Sequence, residues 1–448
     1  MENNRGQWSS KVGFILAAAA SAIGLGNIWR FPYVVGENGG AAFLLLYVFF
    51  VIIIGLPYMF SELALGRFAQ KNPVGSINQI KKGTSWRLVG LLGVLTGVGI
   101  LSFYGVIAGW TFGYIIKTAL GQGYGFSEFV ANPMTEIILF AIFMLLTAWI
   151  VYGGVEGGIE KWSKILMPLL FVLMIGLIIY ANTLEGSEKG LSFYLIPDFT
   201  KITGKTVLAA LGQAFFSLSL GMGLMVTYGS YLSKKEDIVT SSIYIALFDT
   251  AIAVMAGLII FPALFSMGEN PSAGASLVFV VFPKLFLQMP GGAIVGSLFF
   301  VLLAVAALTS TISLLEVPVS FLVDEKKLNR KKIVFPVAFF VFLVGIPSAL
   351  SQGANDFFTN FGWIPAYLAG PDFLSQMSFL WGDFSLAFGA LLMSIFIGWV
   401  WGADKAGDEI NNGSAIFKKI KPFWKFMIKY FIPIVVFIIL LNLFKIFD

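Results

Sequence analysis

Eleven stretches of this chain are apolar for 18 residues or more, at about 11–33, 41–66, 88–119, 134–152, 162–181, 207–232, 238–267, 293–323, 333–350, 376–401 and 423–446. A helix needs about 20 such residues to cross the hydrocarbon core of a bilayer, and a chain with so many runs has little left to build a water-soluble core. Lipid offers no hydrogen bonds to a backbone, so spans of this length must be helical. Composition agrees: 58% of the 448 residues are hydrophobic and 12% are charged, against roughly 25% charged in a soluble domain. The expected fold class is an all-α polytopic membrane protein, a single transmembrane domain over 1–448 with about eleven transmembrane helices.

The net charge of +5 is an insertion signal, and no nucleic-acid partner is expected. With the N-terminus placed in the cytoplasm, 22 of the 29 Lys and Arg fall on the inner side, six fall outside, and Arg30 lies within the first run. That is the positive-inside asymmetry. An odd number of spans then puts the C-terminus outside. Residues 11–23 could pass for a signal-peptide core, but the apolar run continues to Tyr33 and Arg5 and Lys11 precede it, so a retained cytoplasmic end is expected. The chain contains no Cys and no His. Thiolate and imidazole metal sites, disulfides and His-based acid/base catalysis are therefore excluded. No nucleophile–base pair is visible either, so an enzyme is not expected, and any bound cation must be held by oxygen.

Two runs cannot close their own backbone comfortably. Gly24-Leu25-Gly26-Asn27 interrupts the first, and Ser217-Leu218-Ser219-Leu220-Gly221-Met222-Gly223 interrupts the sixth. Glycine costs about 1 kcal/mol against Ala inside a helix, and Ser and Asn compete for backbone hydrogen bonds. Close packing through small residues would account for glycines alone. Paired interruptions five spans apart also fit a transporter, whose broken helices turn amide ends toward anions and freed carbonyls toward cations.

The run from Trp8 to Gly40, with Ala22-Ile23-Gly24-Leu25-Gly26-Asn27-Ile28-Trp29-Arg30-Phe31-Pro32-Tyr33 and Glu37-Asn38-Gly39-Gly40, resembles the first helix of the neurotransmitter:sodium symporter family. Further matches are Gln213 to Gly221 in the sixth run, Ala306-Ala307-Leu308-Thr309-Ser310 in the eighth, and Gly402-Ala403-Asp404-Lys405 after the tenth. The resemblance implies a LeuT-like fold of two inverted five-helix repeats, 11–181 and 207–401, with helices 1 and 6 discontinuous and helix 11 at 423–446. It also implies an amino-acid transporter of the bacterial inner membrane, working as a monomer or weak dimer in the lipid bilayer.

By the same resemblance, two sodium ions are expected. One would be held by the Ala22 carbonyl, Asn27, Ser217 and Asp249; the other by the carbonyls of Ala20, Ile23 and Ala306 with the hydroxyls of Thr309 and Ser310. Asp249 stands where many relatives carry Asn. An intramembrane carboxylate is expensive enough to imply a function, and here it would supply the negative charge that animal relatives take from chloride, so no chloride requirement is expected. A proton-bearing Asp249 is the alternative. The substrate's carboxylate would meet the amides near Gly24, Leu25 and Gly26 and the Tyr104 hydroxyl. Its ammonium would meet carbonyls at Ala22, Phe216 and Ser217, and its side chain a pocket of Ile100, Phe216, Ser219, Met222, Ser310 and Leu314. That pocket is apolar and Met222 is adaptable, so hydrophobic or aromatic L-amino acids are expected.

The resemblance places an inner gate at Arg5 and Asp324 with Trp8 and Tyr231. An outer gate falls at Arg30, opposite Ser378 in a gap-free alignment with Asp372 and Asp383 to either side. Glu62, buried in the second run, would satisfy amides freed by both helix breaks, whereas Glu316 has no evident role. Gly158 and Pro168 frame a segment of the fifth run expected to unwind for inward release, with a simple proline kink as the alternative. The apolar 268–292 segment is expected to fold over the outer vestibule. The function implied is sodium-coupled amino-acid import by alternating access. The alternatives are a ligand-gated sensor or channel on the same fold, or proton coupling through Asp249 or Glu62.

Overall fold

The computed structural model describes residues 6–122, 125–269, 278–414 and 416–446. Its long helices fall on the apolar runs. A bent pair, α1 (Lys11–Ala22) and α2 (Gly26–Glu37), is followed by α3 (Ala41–Ala69), α4 (Arg87–Ala119), α5 (Pro133–Tyr152) and α6 (Val155–Asn182). The sixth run is split into α7 (Gly204–Ser217) and α8 (Leu224–Gly229). Then come α9 (Ile238–Ser266), α10 (Gly292–Lys326), α11 (Arg330–Ala349), α12 (Phe373–Asn411) and α13 (Phe417–Leu443). Among the described residues nine helices are long and apolar enough to cross a membrane, ten with α1 and α2 taken as one span. The halves of the sixth run have 14 and 6 residues and are each too short alone.

Helix starts follow from side chains that satisfy otherwise unbonded first-turn amides. Ser10 accepts from Gly13 N, Asn132 from Thr135 N ahead of Pro133, Asp237 from Val239 N and Thr240 N, and Asn329 from Lys331 N. Thr203 and Thr206 form a reciprocal capping box at α7.

Helices α4 and α10 pack on each other through the centre and are the most deeply buried of the long helices. Around them α1 packs against α6, α9 and α10, and α7 and α8 pack against α3. Helices α11 and α5 form an outer pair, and α13 leans on α12. Outward-facing Leu45, Phe49, Ile142, Leu145, Trp149, Phe339, Phe340 and Leu343 are all exposed, an apolar belt that only lipid solvates well. One end of the bundle carries the lysine-rich connections at 81–82, 326–332 and 418–429 and is called the basic face below.

Candidate functional site

The first break is made by side chains that take over helical amides. Ile23 N still returns to Ala19 O at 2.8 Å, but Gly24 N donates to Asn27 Oδ1 at 3.2 Å and Leu25 N to Tyr104 Oη at 2.9 Å. The two amides that would have bonded Ala20 O and Ser21 O are spent elsewhere, and the axis bends by 51°. The second break is conformational. Ser219, Gly221 and Gly223 all have positive φ, at 54°, 84° and 72°, and only glycine occupies that region without cost. Gly221 N donates to Glu62 Oε1 at 3.2 Å. Glu62 therefore bonds the sixth-run break, while among the described residues its other oxygen has no hydrogen-bond partner and no bond joins it to the first break.

Between these breaks lie two oxygen-rich clusters. In the first, Asp249 Oδ1 accepts from Asn27 Nδ2 at 2.7 Å, and Oδ2 accepts from Ser217 Oγ at 2.7 Å and Tyr47 Oη at 3.2 Å. All four side chains are fully buried or nearly so, and no ion pair to Asp249 is found among the described residues. The second cluster surrounds the freed end of α1. Thr309 Oγ1 donates to Ile23 O at 3.2 Å and Ala306 O at 2.8 Å, and Ser310 Oγ reaches Ile23 O at 3.3 Å and Ser21 O at 3.4 Å. One carboxylate, an amide, hydroxyls and released carbonyls suit hard monovalent cations. Among the described residues no group of three or more carboxylates that could hold a multivalent metal is found.

Beside the breaks, a cavity of about 490 Å³ opens away from the basic face, lined by Leu25, Gly26, Ile100, Tyr104, Phe216 and, further out, Trp29, Arg30, Phe279 and Asp383. The Phe216 ring closes its floor. A Cβ on Gly26 would stand 2.8 Å from that ring, so only glycine lets the ring lie there, and the Arg30 guanidinium covers the ring at 4.3 Å. Ser219, Met222 and Leu314 are buried and do not line the cavity. The Ser219 hydroxyl turns to Ser21 O at 3.2 Å, held there by the residue's left-handed backbone. The Leu25 amide expected for a substrate carboxylate is already bonded to Tyr104.

The outer closure corrects the gap-free alignment. Arg30 pairs with Asp383, at 3.5 Å, and not with Ser378, although both line the cavity. The reason is a wide, π-helical stretch over Ser378–Ser385, which adds residues per turn and carries the acid to the position that a regular helix would give to an earlier residue. Phe279, from the segment expected to act as a lid, stands 6.2 Å from the Trp29 ring and 5.6 Å from Trp110. Residues 270–277 of that segment lie outside the described residues.

At the basic face, Arg5 lies outside the described residues, and Asp324 accepts from Asn72 N at 2.7 Å. Trp8 Nε1 donates to Tyr228 O at 3.0 Å, and its ring meets those of Phe14, Tyr228 and Tyr231. Glu316 gains a role that its sequence context does not reveal: both its oxygens bond Arg330, at 2.7 and 2.5 Å, and Tyr231 Oη donates to it at 2.5 Å. Glu160 was also not foreseen. It accepts from Ser9 N at 2.8 Å, Ser9 Oγ at 2.5 Å and Ser10 Oγ at 3.2 Å, and pairs with Lys164 at 2.7 Å. The Gly158–Pro168 stretch is wound here, as a π turn over Val155–Glu160 followed directly by α-helix through Pro168.

Tyr47 is the other residue missed. Its spacing from the remaining Phe and Tyr of its run carries no signal, and only the packing of α3 against the breaks brings it to Asp249.

Comparison with known proteins agrees with this architecture. A model of the sodium:neurotransmitter symporter family matches residues 5–123 and 129–447. An uncharacterized sodium-dependent transporter of Bacillus subtilis, YhdH, is 40% identical, over 98% of this chain and 97% of its own length. The human sodium- and chloride-dependent GABA transporter 2 is 25% identical, over 94% of this chain and 78% of its own. Among solved structures, MhsT in complex with L-phenylalanine superposes with a TM-score of 0.87 at 43% identity, over 98% of this chain and all of that one.

Proposed function

The chain belongs to the sodium:neurotransmitter symporter family, a family of sodium-dependent transporters and not of enzymes, and from that membership we propose that it imports hydrophobic or aromatic L-amino acids with sodium and without chloride. The observation that carries the proposal is the buried constellation of Asp249, Asn27, Ser217 and Tyr47. A carboxylate held by three neutral donors leaves one net negative charge in a place from which water is excluded, and a sodium ion balances it. A relative named as chloride-dependent would need an external anion there; this chain brings its own.

The substrate side rests on the cavity above Phe216. Its inner walls are Ile100, Leu25, Gly26 and Phe216, with Tyr104 as the polar side chain, a combination suited to an amino acid with a large apolar side chain. The structural neighbour was solved with L-phenylalanine. Sodium is a transported substrate in this reading, with Asn27, Ser217, Asp249 and the Ala22 carbonyl as one ligand set, and Ala20, Ile23, Ala306, Thr309 and Ser310 as the second. Arg30 and Asp383 close the chamber on one side, and Trp8, Tyr231, Glu316 and Arg330 close it on the other. The basic face is cytoplasmic by charge asymmetry, and residues 11–181 and 207–401 form the two inverted halves.

The test is uptake of radiolabelled L-amino acids into proteoliposomes, with and without an inward sodium gradient, in chloride and in gluconate. Sodium-dependent, chloride-indifferent accumulation of Phe, Trp, Tyr or Leu is expected. Accumulation driven by a proton gradient alone would refute the sodium assignments, and binding without accumulation would make the protein a sensor.

A further inference from the structure

We propose that the groove between α5 and α11 is a binding site for an anionic glycerophospholipid, with one acyl chain in the groove and the phosphate at Lys331 and Lys332. The groove holds about 370 Å³ and is lined by Ala141, Met144 and Leu145 of α5 and by Phe335, Ala338, Phe339 and Phe342 of α11, apolar throughout. It is a recess in the belt that faces lipid, since Leu145, Phe335 and Phe339 are exposed along its rim.

Depth and charge say what fills it. Helix α11 begins at Arg330 on the basic face, and at about 1.5 Å per residue Phe335 lies roughly 8 Å and Phe342 roughly 18 Å along it. Helix α5 ends at Tyr152 on the same face, and Leu145 and Ala141 lie roughly 10 and 16 Å back from that end. The recess thus runs from just beneath the basic face to about the bilayer midplane, given a hydrocarbon core of about 30 Å. That is the reach of a single acyl chain and too short for a crossing helix. The turn into α11, at this end of the groove, carries five cations in seven residues, Lys326, Lys327, Arg330, Lys331 and Lys332. Arg330 is committed to Glu316, whereas Lys331 and Lys332 are exposed and stand in the first turn of α11, whose amide end also favours an anion. The Lys331 ammonium lies 5.8 Å from the Tyr152 ring, which in turn lies 5.8 Å from the Phe335 ring. Cation, interfacial aromatic and apolar wall follow one another in the order of a phosphate, a glycerol ester and an acyl chain.

The site joins two elements that meet at the inner closure. Arg330 bonds both Glu316 and Val151 O of α5, the latter at 3.3 Å, so a lipid seated between α5 and α11 braces the helix ends that hold this pair.

The measurement is native mass spectrometry of the detergent-purified full chain, titrated with dioleoyl phosphatidylglycerol or dioleoyl phosphatidylcholine. It depends neither on membrane orientation nor on the transported substrate, so it fails or succeeds independently of the proposed function. Retention of phosphatidylglycerol over phosphatidylcholine is expected. Lys331→Gln with Lys332→Gln should cut it roughly thirtyfold, about a factor of five for each cation. Filling the groove with Ala141→Phe, or more gently with Ala141→Leu, should abolish it. The lysine variants are on the surface and keep the test decisive if a filled groove misfolds. Loss in the lysine pair with full retention in both filled grooves would mean a surface charge effect and overturn the site. A dimer that the filled grooves disrupt, with no preference between the two lipids, would make the face a self-interface and overturn it as well.

Discussion

Replacing Asp249 by Asn removes one charge and almost no volume, and the structure allows the cost to be worked through. The carboxylate receives Asn27 Nδ2 and Ser217 Oγ, both at 2.7 Å, and Tyr47 Oη at 3.2 Å. A cation sharing these ligands would sit within about 4 Å of the carboxylate charge, where attraction at an effective dielectric constant of 20 is about 4 kcal/mol. The variant's amide oxygen still accepts one or two of these bonds and the carboxylate's desolvation cost disappears, so about half of that is lost in net terms. About 2 kcal/mol corresponds to a sodium affinity roughly thirtyfold weaker. The assay is sodium-dependent substrate binding by scintillation proximity, titrated with sodium in gluconate and again in chloride. The expected result is a rightward shift of at least tenfold in gluconate, with partial recovery in chloride as an external anion takes over the charge. An unchanged sodium curve in gluconate would refute the built-in-anion reasoning, because the position would then carry no charge that sodium feels.

The other predictions concern the remaining closures. Thr309→Ala with Ser310→Ala removes two uncharged hydroxyls that bond backbone carbonyls. Thermal stability should change by about 1 kcal/mol per bond or less, while sodium affinity falls several-fold; an unaltered sodium titration would remove this ligand set. Asp383→Asn breaks a partly exposed pair with Arg30, worth about 0–1 kcal/mol, and should raise modification of a cysteine placed at Ile107, which lines the same cavity, by up to about fivefold, whereas Ser378→Ala leaves it unchanged. The reverse ranking would restore Ser378 as the gate residue. The chain has no cysteine of its own, so this labelling has no background. Glu316→Gln leaves Arg330 without its buried counter-charge, a loss of about 3 kcal/mol or more, and should lower the melting temperature and open the basic face to a cysteine at Ser313. A wild-type melting curve would show that the pair holds nothing.

The spans were legible because lipid imposes one rule on every residue of a run, and most helices begin and end within a few residues of the apolar stretches, the early starts of α6 and α13 and the long tail of α12 excepted. The breaks were legible for the same reason in reverse: Gly24 to Asn27 and Ser217 to Gly223 violate a pattern kept elsewhere. What escaped were contacts fixed by helix geometry and tertiary packing. Asp383 and not Ser378 pairs with Arg30: the π-helical stretch sets the acid one wide turn beyond Ser378 on the same cavity wall, which a gap-free comparison does not register. Glu316 and Arg330 are 14 residues apart, on either side of the turn from α10 to α11, a spacing that carries no periodic signal. Tyr47 is one aromatic among many in a lipid-exposed helix. Split linings are equally invisible: Ile100 and Met222 belong to one expected pocket, yet only Ile100 lines the cavity while Met222 is buried apart from it.

The Glu160 carboxylate has a mechanical meaning. It stands at the start of α6, where it pairs with Lys164 one turn on, and from there it holds the segment before α1 through Ser9 and Ser10, so that segment and the turn leading to Pro168 share one anchor. Moving either one alone strips the carboxylate of its Ser9 and Ser10 hydrogen bonds. On the proposed transport reading, release toward the basic face would then have to move both segments together, since one carboxylate holds the two of them.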